Sequence, residues 1–245
     1  MIFIPYGTRE REPRRTFPYV TVLLVLVNVL VFAYEVFLLS TQGQDALNNF
    51  VMHYGAVPYA TTHGSPLNIG LFTAMFLHGG YLHIIGNMIF LLPFGDNVED
   101  RLGHFRYLVF YLLCGLIATL VFVLFNAGST APLIGASGAI AGVLGAYLRL
   151  YPEGRVKGLF FIIILLIPIT VPAALFILYW FFIQLFSSVA SLGNHMVGQD
   201  SGIAFAAHVG GFVAGLLLGP LLARQADRAR SRAARVPEAE VAGRK

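Results

Sequence analysis

Residues 134–150 read Ile134-Gly-Ala-Ser-Gly-Ala-Ile-Ala-Gly-Val-Leu-Gly-Ala-Tyr-Leu-Arg-Leu150. Whether this run crosses a membrane determines how the rest of the chain is threaded. It is apolar as far as Arg149, but glycine and alanine dominate it. Gly135, Gly138, Ala141, Gly142 and Gly145 recur at three- and four-residue spacing and so share a helical face. Small residues on one face let a neighbouring backbone approach closely, which is how helices pack in lipid. Ser137 sits near the start of this run, beside that face.

The surroundings are those of a membrane protein. Of the 245 residues, 57% are hydrophobic and 11% charged, and mean hydropathy is +0.75. A soluble domain carries roughly 25% charged residues. Runs 19–39, 107–125, 159–189 and 202–222 each approach or exceed the roughly 20 apolar residues a helix needs to cross a bilayer. The third is long and holds Pro168 and Pro172, so it is either kinked and tilted or ends in an interfacial segment. Two weaker runs, 80–95 and 134–150, bring the number to six. The first run follows Arg9, Arg11, Arg14 and Arg15 and is longer than a signal-peptide core of roughly 7–15 residues, so it reads as a retained span. The single cysteine, Cys114, excludes a disulfide framework and reads as packing.

Charge tests the number of crossings. All 16 Lys and Arg fall in four clusters, at 9–15, 101–106, 149–157 and 224–245. Six spans place every cluster on one side, which the positive-inside rule makes cytoplasmic, with both termini there. Five or seven would break that agreement. The expected fold is an all-α, six-span bundle: a basic segment 1–16, a membrane domain 17–223 and a basic tail 224–245. The pI of 9.3 reflects this bias and implies no nucleic-acid partner. The long outer loop, 40–79, mixes polar and apolar residues and suits an interfacial segment. No internal repeat of the kind many transporters carry is evident.

Polar groups inside a membrane are expensive and face the protein interior. His83, Asn87, Ser137 and His208 stand out. Counting about 1.5 Å per residue from the charged ends puts Ser137 and Asn87 about 18 Å and His208 about 24 Å above the cytoplasmic edge. His83 lies one turn higher than Asn87, on the same face. Four polar groups on three spans therefore meet in the outer half of the bilayer. On span six His208, Gly211 and Gly215 share a face, with Gly219 continuing it, so spans four and six can pack directly with Ser137 near His208. Span four is also short. Residues 126–133 are turn-like, and a helix starting near 135–137 would aim its free N–H groups into a cavity. Non-helical backbone at that depth has to be buried in protein or line water.

A serine hydroxyl needs a base to become a nucleophile, and a histidine of near-neutral pKa can serve. Glu35 is the one acid within a span and lies on span one, which leaves a Ser137–His208 dyad and no triad. The Ser137 N–H, Asn87 and His83 can donate to an oxyanion. Each residue also has a plainer reading. Ser137 fits as helix packing, and His83 and Asn87 as interhelical hydrogen bonds. The glycine series could mark a homodimer, but internal packing is the favoured reading. His78 and His83 are five apart, off one face, with no acid or thiolate beside them, so no metal or other cofactor is implied. His53, His63 and His195 read as loop residues.

Together these segments resemble the rhomboid family of intramembrane serine proteases. The resemblance is carried by Phe76-Leu-His-Gly-Gly-Tyr-Leu-His-Ile-Ile-Gly-Asn-Met88, Gly95-Asp-Asn-Val-Glu-Asp-Arg-Leu-Gly103, Gly135-Ala-Ser-Gly138 and Ala207-His-Val-Gly-Gly211, and covers about residues 17–223. It implies Ser137 as nucleophile, His208 as general base, and His83 and Asn87 as oxyanion side chains. His78 is then a structural residue of the first loop. It further implies single-span membrane proteins as substrates, cut near small, helix-destabilised sites, with a lateral gate beside span five. The absence of organelle features points to a bacterial plasma membrane. Two departures stand out. Where some bacterial members carry a tyrosine that stacks on the histidine, this chain has Ala141, and the first loop has no arginine. An inactive, client-binding relative is the alternative. Such proteins usually lack the serine or histidine or carry proline before the serine, where this chain has Ala136.

Overall fold

The computed structural model describes residues 2–10, 15–64, 68–162, 165–193 and 204–242. Arg11, Arg14, His195, Arg244 and Lys245 lie outside the described residues.

Helices dominate. Helix α1 spans Tyr19–Gln42, α5 Tyr81–Leu102, α6 His104–Phe125, α7 Ser137–Leu150, α8 Ala173–Gly193 and α9 Ala204–Ala242. Between α1 and α5 the outer loop folds into α2 (Gln44–Tyr54), α3 (Pro58–His63), α4 (Gly70–Thr73) and a 3-10 turn (Ala74–Phe76). Among the described residues, three helices are long and apolar enough to cross a membrane: Tyr19–Gln42, His104–Phe125 and Phe205–Ala229. Gly70–Phe76 and Tyr81–Leu102, bent by 89°, supply a fourth if they count as one span. Leu23, Leu26, Leu30 and Phe37 of α1 are about half exposed, as are Leu217 and Leu221 of α9. So much bulky apolar surface on long helices is what a lipid solvent requires and water penalises.

The expected all-α fold is corrected by a three-stranded antiparallel sheet of order β1-β2-β3. Strand β1 is Ile2–Arg9, β2 Arg155–Ile162 and β3 Leu165–Pro172. Ile2 pairs with Phe161 and Arg9 with Arg155, and β2 pairs with β3 from Arg155↔Pro172 to Ile162↔Leu165. The run 159–189 therefore divides, and only its second part is helical. Pro168 and Pro172 explain where. Each lacks an N–H and would break a helix interior, whereas β3 is an edge strand, where proline is tolerated. The remaining Leu, Ile, Val and Phe residues suit strands well.

Carboxylates, one of them fully buried, tie the helices together at this end. Glu99 of α5, with no exposed surface, accepts from Val20 N (2.8 Å), Thr21 N (2.7 Å) and Thr21 Oγ1 (2.7 Å), and pairs with His104 Nδ1 at 2.6 Å. It thus satisfies N–H groups of the first turn of α1, which have no acceptor within that helix, and complements the positive end of its dipole. Next to it, Asp100 accepts from Arg15 N, Thr16 N and Thr16 Oγ1. Arg101 forks onto Asp227 of α9 at 2.5 and 2.8 Å. Substituting Glu99→Ala is expected to destabilise the fold by about 2–4 kcal/mol, because the Val20 and Thr21 N–H groups lose their acceptor and each unsatisfied buried group costs about 1–3 kcal/mol. Denaturant unfolding in detergent measures this, and an unchanged midpoint would remove Glu99 as the anchor of α1.

Helices α7 and α9 form the centre. A Cβ on Gly211 would strike the Gly138 carbonyl oxygen, one on Gly215 the Gly142 oxygen, and one on Gly145 the Phe212 oxygen. The small-residue faces read from the sequence thus lie against each other. Ala118 of α6 closes on the same glycines: a Cβ on Gly138 would sit 2.6 Å from Ala118 Cβ, and one on Gly211 3.4 Å from it.

Candidate active site

Local chain geometry places Ser137 at a helix start. Ala56 and Leu133 pair as an isolated bridge, so the chain after α6 is tied to the outer loop. Gly135 then donates its N–H to Ala74 O at 2.8 Å and turns with φ of 124°. That positive φ suits glycine and is strained for other residues. Ala136 occupies the N-cap position without a side-chain cap, and Ser137 is the first residue of the helix. First-turn N–H groups of such a helix have no intrahelical acceptor, and the helix dipole favours negative charge there.

Three elements converge on this point. From α9, His208 Nε2 lies 2.7 Å from Ser137 Oγ. His208 is 5% exposed, and its Nδ1 is buried with no hydrogen-bond partner among the described residues. From α5, His83 and Asn87 flank Gly135. A Cβ on Gly135 would sit 2.7 Å from His83 Nε2 and 3.8 Å from Asn87 Nδ2. Asn87 Nδ2 is likewise buried and unpartnered among the described residues, so it is a donor held ready beside the start of α7. His83 Nδ1 accepts the Gly79 N–H at 3.3 Å. A neutral imidazole accepting at Nδ1 carries its proton on Nε2, which makes the nitrogen facing Gly135 a second donor. Ser137 itself is partly exposed. Met75, Ala118, Thr119, Leu133 and Ala207 line a small cavity beside it.

His83, Asn87, Ser137 and His208, singled out on three separate spans, therefore meet around one point. His78 stands in the loop before α5, 3% exposed, with its ring 5.1 Å from that of His83. Its backbone N–H donates to both carboxylate oxygens of Glu35, at 3.2 and 3.3 Å. Glu35, which interrupts span one in hydropathy, thus anchors the loop that lacks an arginine. Two further contributors are not singled out by the sequence. Trp180 of α8 packs on His208 with ring centroids 5.5 Å apart, and Glu99 sets the entry of α1. The one signal for Trp180 is that it is the only tryptophan in the chain.

The fold and site are those of a helical membrane protein with a serine–histidine pair enclosed among its helices. Residues 68–225 match the Rhomboid domain family. The chain belongs to the rhomboid family. It is 30% identical to RHOMBOID-like protein 5 of Arabidopsis thaliana over 159 residues, 62% of this chain and 43% of that protein. It is 31% identical to the rhomboid protease GluP of Bacillus subtilis over 165 residues, 62% of this chain and 30% of that protein. To rhomboid protein 1 of Saccharomyces cerevisiae, a mitochondrial protein, it is 26% identical over 168 residues, 67% of this chain and 44% of that protein. The chain spans less than half the length of each of these three relatives.

Proposed function

We propose that this protein is an intramembrane serine endopeptidase that hydrolyses peptide bonds of single-span membrane proteins through a Ser137–His208 dyad. The observation that carries this is the 2.7 Å separation of Ser137 Oγ and His208 Nε2. Distances of about 2.6–3.2 Å let a base take the nucleophile's proton. His208 accepts that proton as Ser137 Oγ attacks the scissile carbonyl, then returns it to the leaving amine. The Ser137 N–H, Asn87 Nδ2 and His83 Nε2 donate to the oxyanion of the tetrahedral intermediate. Water then attacks the acyl-enzyme with His208 again as base.

The proposed setting is a bacterial plasma membrane, crossed six times with both termini cytoplasmic. Supporting this, Arg9 pairs with Arg155 across the sheet, Arg101 meets Asp227, and Arg15 N meets Asp100, so the basic clusters gather at one end of the bundle. Helix α7, at 14 residues, is about 21 Å long. It therefore stops short of the outer surface and leaves room for water above Ser137.

The test is incubation of the detergent-solubilised protein with a fluorophosphonate and with a single-span substrate carrying a small, helix-destabilised site. Capture and cleavage together support the protease. Absence of both favours an inactive relative that binds membrane clients. Two dependent outcomes are expected. Asn87→Ala should lower kcat about 10²–10³-fold, as loss of an oxyanion donor does elsewhere, with little change in KM. Cleavage should also fall as pH is lowered, because an imidazolium cannot accept the serine proton.

A further inference from the structure

A base acting through Nε2 carries its proton on Nδ1, and in a triad an acid holds that N–H and fixes the ring. Among the described residues His208 has no such partner: Nδ1 is buried and unbonded. Ala141, one turn beyond Ser137, offers only a methyl group. What meets the imidazole is the Trp180 ring, 5.5 Å away and inclined at 51°.

Trp180 is itself backed by a column of rings. Phe90 of α5 lies 5.8 Å from Trp180. Phe176, one turn before Trp180 on α8, stacks on Phe90 at 5.5 Å and 16°. Phe3 of β1 meets Phe176 at 5.1 Å. Phe3 occupies the space over Gly158 of β2, where any Cβ would collide with its ring. Strand β3, held to β1 through β2, leads directly into α8 at Ala173. The first strand therefore braces α8 twice, through the sheet and through the rings.

We propose that Trp180 is the positioning residue for His208, and that Phe3 on the N-terminal strand braces Trp180 through Phe176 and Phe90. Packing thus does what the missing acid would do. The kinetic consequence rests on the dyad proposed above, whereas the contact can be tested without it.

Two readouts on the full chain in detergent decide the matter. The first is the rate of Ser137 capture by a fluorophosphonate, beside cleavage of the single-span substrate. Trp180→Ala is expected to slow both about 10–100-fold, the scale of an ångström-level misplacement of a catalytic group. Trp180→Phe should restore most of the rate, and Phe3→Ala should give an intermediate loss. Were Trp180 only a wall of the substrate's entry route, cleavage would change while capture by the small probe would not. That result would overturn the positioning role. The second readout is NMR of histidine-labelled protein, with the His208 ring signals identified by their loss in His208→Ala. They should shift in Trp180→Ala and shift less in Trp180→Phe. Unmoved signals would overturn the contact. If the wild type is neither captured nor active, the dyad reading fails, and the NMR result still decides the contact. Trp180, the only indole, also reports on the brace. Unchanged emission anisotropy and capture rate in Phe3→Ala would remove Phe3 from it.

Discussion

Ser137→Ala is expected to abolish fluorophosphonate capture and to lower substrate cleavage about 10⁴-fold or more, as removing a serine nucleophile does in enzymes of this chemistry. His208→Ala should be nearly as severe, because an unassisted hydroxyl is a poor nucleophile at neutral pH. The double variant should be no slower than the worse single one, since two residues acting as a unit lose their function together. The geometry makes this a sharp test. Ser137 Oγ has His208 Nε2 at 2.7 Å, and no third group among the described residues bonds the imidazole. Appreciable cleavage by His208→Ala would rule out the dyad, and equal losses that multiply in the double variant would show two independent roles.

The second large effect concerns stability. Gly215→Val is expected to prevent normal folding, and Gly211→Ala to destabilise by about 1–3 kcal/mol, the range for overpacking a filled interior. At both positions the space a Cβ would take is occupied by a backbone carbonyl oxygen of α7, from Gly142 and Gly138. A backbone atom cannot rotate away as a side chain can, so the helices themselves have to separate. Gly211 lies three residues beyond His208, and its substitution should also lengthen the contact to Ser137 and lower activity beyond the stability loss. Gly86, where a Cβ would have no neighbour within 4 Å, is the control. Gly86→Ala should be neutral or slightly stabilising, because alanine gives up less backbone entropy in a helix. Thermal unfolding in detergent separates the two cases, and equal midpoints for Gly211→Ala and Gly86→Ala would discount the close packing.

These effects differ in how far they can be read beforehand. That Gly211 and Gly215 lie on a face open to close packing follows from spacing alone, because small residues three and four apart share a face whatever surrounds them. The meeting of His83, Asn87, Ser137 and His208 is legible for a related reason. Charged ends act as depth markers, and a polar group in lipid has few places to go. Glu35 and Glu99 are harder. In a hydropathy profile each is a blemish in an apolar run or one more acid near a helix end. Their roles depend on which backbone N–H groups arrive from elsewhere: His78 for Glu35, and Val20 and Thr21 for Glu99.

The sheet and the aromatic brace lie beyond such reading. A continuous run of Leu, Ile, Val and Phe carries no period, so residues 159–172 look the same as the helix that follows them. They become strands because Ile2–Arg9, some 150 residues earlier, supplies a pairing edge. Likewise nothing local to Trp180 points to His208, as the two rings meet only once α8 leans on Phe90 and Phe3. Hydropathy, charge clustering and glycine spacing are properties of short stretches and survive any arrangement of the rest. Strand pairing, buried-carboxylate anchoring and ring packing join residues far apart in the chain, and they exist only after the helices have been packed together.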